Sequence, residues 1–221
     1  MRTKKLAYRL SALLLSLTLF LLSPAVARAE NTADMSRFTD VMPGQWYYSA
    51  IEYVVTNGYF NGVTDTSFAP EQSMTRAMFV TVLGRMAGVE NTTDETPAFL
   101  DVTPDSYYSG YVAWATENDI VQGVSDNFFS PNTPVTREQI AVFLYRYAKY
   151  IGMDVSVGQT ASPHLFGDAD TIVSPWAMTA MVWANTRGIM RGTGNTMEPK
   201  AEATRAEVAQ MLYNFSQLTN E

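Results

Sequence analysis

The sequence predicts an all-α fold made of three helix-loop-helix repeats. A Thr-Arg pair occurs three times, its arginine six residues after a proline, and apolar residues at the three- and four-residue spacing of one helix face follow each pair. The pairs are Thr75-Arg76, Thr136-Arg137 and Thr204-Arg205. A pattern that recurs in this way predicts structural repeats that pack on one another.

The first 29 residues are predicted to be a secretory signal peptide and are set apart from the fold. A basic start precedes an apolar run of about 13 residues, from Leu10 to Leu22, and Ala27-Arg28-Ala29 has the small-residue pattern of a cleavage site. A membrane anchor is the alternative, but a span needs about 20 apolar residues. Residues 30–37 follow as a polar lead-in that is predicted to be disordered.

Charge and cysteine content exclude several classes of function. The predicted signal peptide holds five of the 15 basic residues and none of the 22 acidic ones, so the remainder carries ten against 22, a net charge of −12. A chain this acidic is not expected to bind nucleic acid or an anionic membrane, and it can bind an anion only at local sites. The absence of cysteine excludes a disulfide scaffold.

The repeats are predicted at residues 38–90, 99–152 and 166–218, and linkers rich in Ser, Thr, Gly and Pro join them. Each repeat begins with a Phe-x-Asp pattern, whose aspartate lies 36 or 37 residues before the arginine of the Thr-Arg pair. These aspartates, Asp40, Asp101 and Asp168, are interpreted as caps or turn residues before the first helix. One repeat is too small to bury its own apolar face, so the three are expected to share a core.

Each repeat has the same order of elements. An aromatic residue precedes a short amphipathic first helix, and the segment ends in a glycine, where a left-handed or tight backbone turn is favourable. A loop containing Phe-x-Pro or Met-x-Pro leads to the second helix. The threonine of each Thr-Arg pair is the predicted N-cap of that helix. Gln139 and Glu207 complete capping boxes in the second and third repeats, whereas the first repeat has Met78 at this position.

The arginine that follows each cap is an unusual choice. A helix N-terminus carries partial positive charge, so a cation there is unfavourable by a few tenths of a kcal/mol. Its recurrence in three repeats indicates an anionic ligand at the helix start, where free backbone amides also attract anions.

The order Phe-x-Asp, aromatic residue, short helix, Gly, Phe-x-Pro and Thr-Arg resembles the S-layer homology (SLH) domain, in a set of three repeats that covers nearly all of the chain after the signal peptide. The resemblance implies a pseudo-threefold assembly with a central helical bundle and three prongs. It also implies non-covalent attachment to the cell wall by a secreted surface protein. The implied ligand is an anionic secondary cell-wall polymer, often carrying a pyruvate ketal, or a peptidoglycan-linked glycan, bound in grooves between adjacent repeats.

Nine residues are candidates for contact with this glycan. A guanidinium matches a carboxylate with two parallel hydrogen bonds, an aromatic ring can stack on a sugar, and glycine lets the backbone approach a ligand. Each type also has a structural alternative: an ion pair with the repeat aspartates or a neighbouring carboxylate for the arginines, a packing anchor for the aromatic residues, and a turn for the glycines. Because the repeats differ in sequence, three equivalent grooves are not expected. The candidates are Arg76, Arg137, Arg205, Trp46, Tyr107, Trp176, Gly62, Gly123 and Gly192.

Catalysis is not predicted, and neither is a cofactor or a metal site. With no cysteine and His164 as the only histidine, the chain lacks the residues of a Ser-His-Asp or Cys-His site and of a histidine-rich metal site. Acidic residues near Asp65 and Asp126 lie in turn-like sequences with no paired arrangement that would indicate glycoside hydrolysis. The alternative to glycan binding is therefore not an enzyme but a module that docks onto another surface protein.

Overall fold

The computed structural model describes residues 33–92, 99–157, 173–192 and 196–219. Over these ranges the fold is all-α, as predicted, with six α-helices and a short 3-10 helix at Met35–Arg37. The predicted signal peptide, Asp168 and most of the second linker, including His164, lie outside the described residues. The helices are α1 (Tyr48–Thr56), α2 (Arg76–Met86), α3 (Ser109–Glu117), α4 (Arg137–Tyr150), α5 (Met178–Thr186) and α6 (Arg205–Leu218).

The second helix of each repeat begins where the sequence predicts. Thr75, Thr136 and Thr204 have extended backbone, and each hydroxyl oxygen accepts a hydrogen bond from the amide three residues later. The capping boxes with Gln139 and Glu207 are present in α4 and α6, while α2 has the threonine cap alone. These caps fix the first residue of α2, α4 and α6, which in each case is the arginine of the Thr-Arg pair.

The first helix of each repeat ends beside a residue with left-handed backbone. Gly58 (φ 71°), Asp119 (φ 56°) and Gly188 (φ 71°) occupy this position, and Asp119 does so although left-handed backbone disfavours a residue with a Cβ. Gly62 and Gly123, for which the sequence predicts a left-handed or tight turn, do not have positive φ. Close packing requires them to be glycine, because a Cβ on either would lie 2.4 Å from a backbone oxygen two residues later.

Helices of different repeats pack against each other. α2 of the first repeat packs on α3 of the second, α4 on α5 of the third, and α6 returns to pack on α1. Their apolar faces form one buried cluster that includes Ile51, Phe79, Leu144 and Trp183. The shared core predicted from the small size of each repeat is therefore confirmed.

Three backbone hydrogen bonds join the repeats in a ring just before their second helices. The amide of Met74 donates to the carbonyl of Ala203 (2.9 Å), Ala203 donates to Val135 (3.1 Å), and Val135 donates to Met74 (2.8 Å). Each repeat thus contacts both of the others, and the first repeat is joined directly to the third. The pseudo-threefold arrangement with a central bundle and prongs stays a prediction.

Residues 33–37 differ from the predicted disordered lead-in. The Asp34 side chain accepts a hydrogen bond from the amide of Ser36 at 3.0 Å and caps the 3-10 helix. Met35 is buried in the core, and the amide of Ala33 donates to the hydroxyl of Thr56 at 2.9 Å. The buried Met35 side chain and the hydrogen bond from Ala33 to Thr56 together hold this segment against the fold.

Candidate functional site

The three arginines of the Thr-Arg pairs are buried, with 2%, 5% and 6% of their surface exposed. Each guanidinium donates from Nε and Nη2 to two backbone carbonyls in the loop of the neighbouring repeat. Arg76 bonds Phe129 (2.8 Å) and Gln122 (2.9 Å), Arg137 bonds Met197 (2.9 Å) and Arg191 (2.7 Å), and Arg205 bonds Phe68 (2.8 Å) and Asn61 (2.7 Å). The arginines therefore hold each repeat to the next.

The backbone amides at the start of the second helices have protein partners. In α2 the amides of Arg76 and Ala77 donate to the carbonyls of Thr133 and Pro131, both at 3.0 Å, and the amide of Met78 donates to the cap threonine. α4 and α6 repeat this pattern with the loops of the third and first repeats. The inference that free amides at these helix starts attract an anion is wrong, because the neighbouring loop occupies them.

Burial acts against the charge of two of these arginines. It lowers the pKa of Arg76 and of Arg205 to about 10, while the nearby carboxylates of Asp101 and Asp40 act in the opposite direction. Both guanidinium groups thus stay charged at neutral pH. Asp101 and Asp40 are the repeat aspartates of the adjoining repeat, and they act on Arg76 and Arg205 through their charge.

Two of the repeat aspartates, Asp40 and Asp101, hold the loop that contains the proline. The Asp40 carboxylate accepts hydrogen bonds from the hydroxyl of Ser67 (2.6 Å) and the amides of Phe68 (2.9 Å) and Ala69 (2.8 Å). Asp101 accepts in the same way from the amides of Phe129 and Ser130, both at 2.8 Å. The residue before the proline is left-handed in both loops, with φ of 57° and 59°. The two aspartates stabilise these loop turns and do not cap the first helices.

Three grooves lie beside the buried arginines, and each is built from all three repeats. The arginine comes from one repeat, the second helix and the glycine loop come from the next, and the exposed aromatic residue comes from the remaining one. The first groove has a volume of about 390 Å³, the second about 250 Å³ and the third about 230 Å³. Their defining residues are Arg76, Gly123, Gln139, Arg146 and Trp176 for the first groove; Trp46, Arg137, Arg191, Glu207 and Asn214 for the second; and Gly62, Met78, Arg85, Tyr107 and Arg205 for the third.

The structure therefore places most of the candidate residues together in the grooves. Trp46, Tyr107 and Trp176 line one groove each and have 60%, 53% and 59% of their surface exposed. This exposure leaves ring surface for a ligand and distinguishes these residues from packing anchors in the core. Gly62 and Gly123 line the third and first grooves, and Gly192 follows Arg191, which lines the second.

Two positions on the second helices also face the grooves and were not among the sequence candidates. One is occupied by Arg85, Arg146 or Asn214, nine residues after the arginine of the Thr-Arg pair, and the other by Met78, Gln139 or Glu207. The recurrence of arginine at the first position was a signal present in the sequence. In the second groove the Glu207 carboxylate lies 3.7 Å from Nη1 of Arg137.

The described ranges contain no group of three His, Cys, Asp or Glu side chains that could hold a metal ion. No helix in the same ranges combines the length and the apolar character that crossing a bilayer requires.

Comparison with known proteins gives matches along the whole repeat region. A family model described as the S-layer homology domain matches residues 37–78, 98–141 and 165–209. The chain is 29% identical over 216 residues to an endoglucanase of Bacillus sp. (strain KSM-635), which covers 96% of this chain and 22% of the endoglucanase. It is 29% identical over 175 residues to S-layer protein sap of Bacillus anthracis, covering 79% and 20% of the two chains. An amylopullulanase of Thermoanaerobacterium thermosulfurigenes is 30% identical over 183 residues, covering 80% and 9%. The chain thus spans about a fifth or less of the length of these relatives.

Proposed function

Since the chain belongs to the S-layer homology domain family, we propose that it is a non-enzymatic cell-surface module that binds an anionic cell-wall glycan non-covalently in its inter-repeat grooves. The observation that carries the proposal is the composition of these grooves. Each one combines a buried arginine, the loop that follows a first helix and an exposed aromatic ring, and the three parts come from three different repeats.

The arginines are suited to hold part of an anionic sugar as well as the neighbouring loop. A guanidinium has five N–H donors, and the loop carbonyls take two of them in Arg76 and in Arg205. Both side chains also line a groove. The guanidinium is fixed by the loop, so little conformational entropy is lost when its other N–H groups bind a carboxylate.

The aromatic rings provide the apolar part of the site. Sugar rings present C–H groups on one face, and an exposed indole or phenol ring offers a flat surface for them. Trp46, Tyr107 and Trp176 lie at the grooves and not in the core. A polar, charged edge beside a flat apolar face is the arrangement expected for an anionic pyranose.

The match with the endoglucanase, the amylopullulanase and the S-layer protein covers 22%, 9% and 20% of their respective lengths. This supports a role as an attachment module, separate from any catalytic part of those proteins. The anionic group of the glycan, including a pyruvate ketal, is part of the proposal.

The test is binding of the purified secreted protein to cell-wall sacculi, before and after chemical removal of the secondary polymer. A variant with Trp46→Ala, Tyr107→Ala and Trp176→Ala removes the exposed rings. Because Trp46 and Tyr107 pack edge-on against the buried Tyr47 and Tyr108, circular dichroism is used to verify that the variant is folded. Tyr150→Ala is the matched control, because Tyr150 is a 46% exposed aromatic residue that lines none of the three grooves.

We expect binding to disappear with the polymer and in the triple variant, and to persist in the control. Binding that survives both changes would overturn the proposal and indicate a surface protein as the partner.

A further inference from the structure

We propose that the first groove is the one that takes the anionic sugar, with Arg146 as its anion contact and Glu138 as the residue that positions Trp176. This inference rests on the proposed function and specifies its site. It depends on three differences between the grooves, in charge, in volume and in the support of the aromatic ring.

Charge distinguishes the first groove from the second. Within the part of the chain that the structure describes, the residues that line the first groove include Arg76 and Arg146 together with Gln122 and Gln139, and none of them is acidic. The second groove also has two arginines, Arg137 and Arg191, but the position of Gln139 is taken there by Glu207, whose carboxylate lies 3.7 Å from Nη1 of Arg137. A ligand carboxylate that binds beside Arg137 would be repelled by the carboxylate of Glu207, because both groups are negatively charged.

The position of Arg146 also differs between the first and second grooves. Its counterpart in the second groove is Asn214, which has no charge. Arg146 is half-buried, and its Nη2 donates to the Oε1 atom of Gln122 at 3.1 Å. Burial lowers the pKa of Arg146 and the nearby carboxylate of Asp119 raises it. A bond to a neutral side-chain amide is weaker than a bond to a carboxylate, so an anion can replace Gln122 as the partner.

The third groove has two arginines but a different lining. Nη1 of its Arg85 donates to the backbone carbonyl of Tyr59 at 3.0 Å, which holds the side chain against its own repeat. Met78 replaces the glutamine of the first groove, and most other lining residues are apolar or aromatic. The third groove is thus poorer in polar groups that could bind sugar hydroxyls.

Volume favours the first groove as well. At about 390 Å³ it falls within the range of about 300–1,000 Å³ that is usual for ligand pockets. The second and third grooves, with about 250 and 230 Å³, are below that range.

The aromatic ring of the first groove is supported by a buried carboxylate. Glu138, 3% exposed, accepts hydrogen bonds from the amide (3.0 Å) and the hydroxyl (3.1 Å) of Ser174 and forms an ion pair with Lys200. Nζ of Lys200 bonds the Ser174 hydroxyl and lies 5.9 Å from the centroid of the Trp176 ring. These contacts fix the segment that carries Trp176 beside the groove.

This support is specific to the first groove. The residue after the Thr-Arg pair is Glu138 in the second repeat, but Ala77 in the first and Ala206 in the third. Neither alanine can anchor the segment of Tyr107 or Trp46 by a carboxylate. The first groove therefore combines two arginines, Arg76 and Arg146, with an aromatic ring whose segment is fixed by a buried carboxylate.

The test is a titration of secondary polymer released from the wall, followed by calorimetry, against single-groove variants. Arg146→Gln removes the proposed contact, and Arg85→Gln is the matched change in the third groove. We expect at least a tenfold loss of affinity for Arg146→Gln and less than a twofold change for Arg85→Gln. Asp119→Asn, which removes the acidic neighbour of Arg146 and keeps a residue that tolerates left-handed backbone, is expected to tighten binding.

Equal losses in the two arginine variants, or a loss confined to Arg85→Gln, would overturn the groove assignment and leave the proposed function standing. Wild-type protein that does not bind the polymer would overturn the proposed function itself. Urea unfolding of each variant verifies that affinity and not folding has changed, and Arg146→Met, which also removes the charge, is the substitute if the glutamine variant is unstable.

The positioning role of Glu138 has its own readout. Glu138→Ala is expected to weaken polymer binding three- to tenfold in the wild-type background and to have no further effect in Trp176→Ala protein. Additive losses in the double variant would show that Glu138 does not act through Trp176 and would overturn this part of the proposal.

Discussion

Arg76 contacts Phe129 in two ways: its Nε donates to the backbone carbonyl at 2.8 Å, and its guanidinium carbon lies 4.5 Å from the centroid of the phenyl ring. Arg205 has the same double contact with Phe68, again at 2.8 Å and 4.5 Å. The guanidinium thus binds both the main chain and the side chain of a loop residue in the adjoining repeat. Its role in holding the fold together comes before any role in binding.

Arg76→Ala is therefore expected to lower the free energy of unfolding by about 3 kcal/mol or more, because it removes two charge-assisted hydrogen bonds and leaves the buried carbonyl of Phe129 without this donor. The measurement is urea unfolding followed by circular dichroism. Arg187→Ala is the control, since Arg187 and Asp154 form a solvent-exposed pair at 3.7 Å, and such pairs contribute less than about 1 kcal/mol.

Equal stability of the two variants would show that Arg76 is not a structural cross-link. If Arg76→Ala does unfold the protein, loss of wall binding in arginine-to-alanine variants carries no information about ligand contact.

Asp40 should make the stability sensitive to acid. Burial raises the pKa of Asp40, but hydrogen bonds from Phe68, Ser67 and Ala69 outweigh this effect and leave the pKa below its ordinary value. The folded state therefore favours the charged carboxylate, so its contribution is complete above about pH 4, the ordinary pKa of aspartate, and is lost as the pH falls through the lower folded pKa.

Asp40→Asn should lower the free energy of unfolding by about 1 kcal/mol at pH 7. The difference from wild type should shrink below pH 4, as unfolding curves recorded between pH 7 and pH 2 would show. A difference that stays constant over this range would contradict the assignment of the carboxylate as the acceptor.

Gly62→Ala and Gly123→Ala should both destabilise the fold, although neither glycine has a positive φ. The added Cβ would lie 2.4 Å from one backbone oxygen in each case, and a second backbone oxygen lies within 2.8 Å and 2.6 Å, respectively. Backbone cannot give way as a flexible side chain can, so we expect a loss of about 1–3 kcal/mol. Thermal unfolding beside the exposed-helix variant Glu117→Ala would measure it, and melting temperatures equal to that control would refute the packing argument.

Thr136→Ala should cost about 1 kcal/mol, because the hydroxyl caps α4 and takes part in a capping box. Thr136→Ser retains the hydroxyl and serves as the matched variant. Urea unfolding should rank serine close to wild type and alanine clearly below it. If serine is as destabilising as alanine, the methyl group and not the cap is responsible.

The fold could be predicted in large part because its signals are local. An N-cap, a capping partner three residues later and an apolar helical face occur within one short stretch, and α4 shows all of them as the sequence indicates. The hydrogen-bond partners of the amides at the helix starts could not be predicted in this way. Their partners, such as Thr133 for Arg76, come from another repeat, and no local pattern shows that a loop will fill the place of an anion.

The same distinction applies to the candidate site: residues marked by a repeated pattern could be predicted, and residues held by distant partners could not. Trp176 was identifiable from its place in the repeat, and Arg146 could have been found from the arginine at the same place in the first repeat. The burial of Glu138 could not, because an acidic residue in the first turn of a helix normally suggests solvent exposure and a favourable helix dipole. Its partner Lys200 lies 62 residues further along the chain.

The closed ring of repeats has a consequence for the order of folding. Arg205 binds Phe68 and Asn61 across 137 and 144 residues, and α1 has α6 as its packing partner. Closure over such a distance is entropically expensive, and folds with many distant contacts form slowly. During synthesis from the N-terminus, α1 therefore cannot pack against α6 until α6 has been synthesised. A chain that is still emerging is expected to remain open, and folding becomes cooperative only after α6 has arrived.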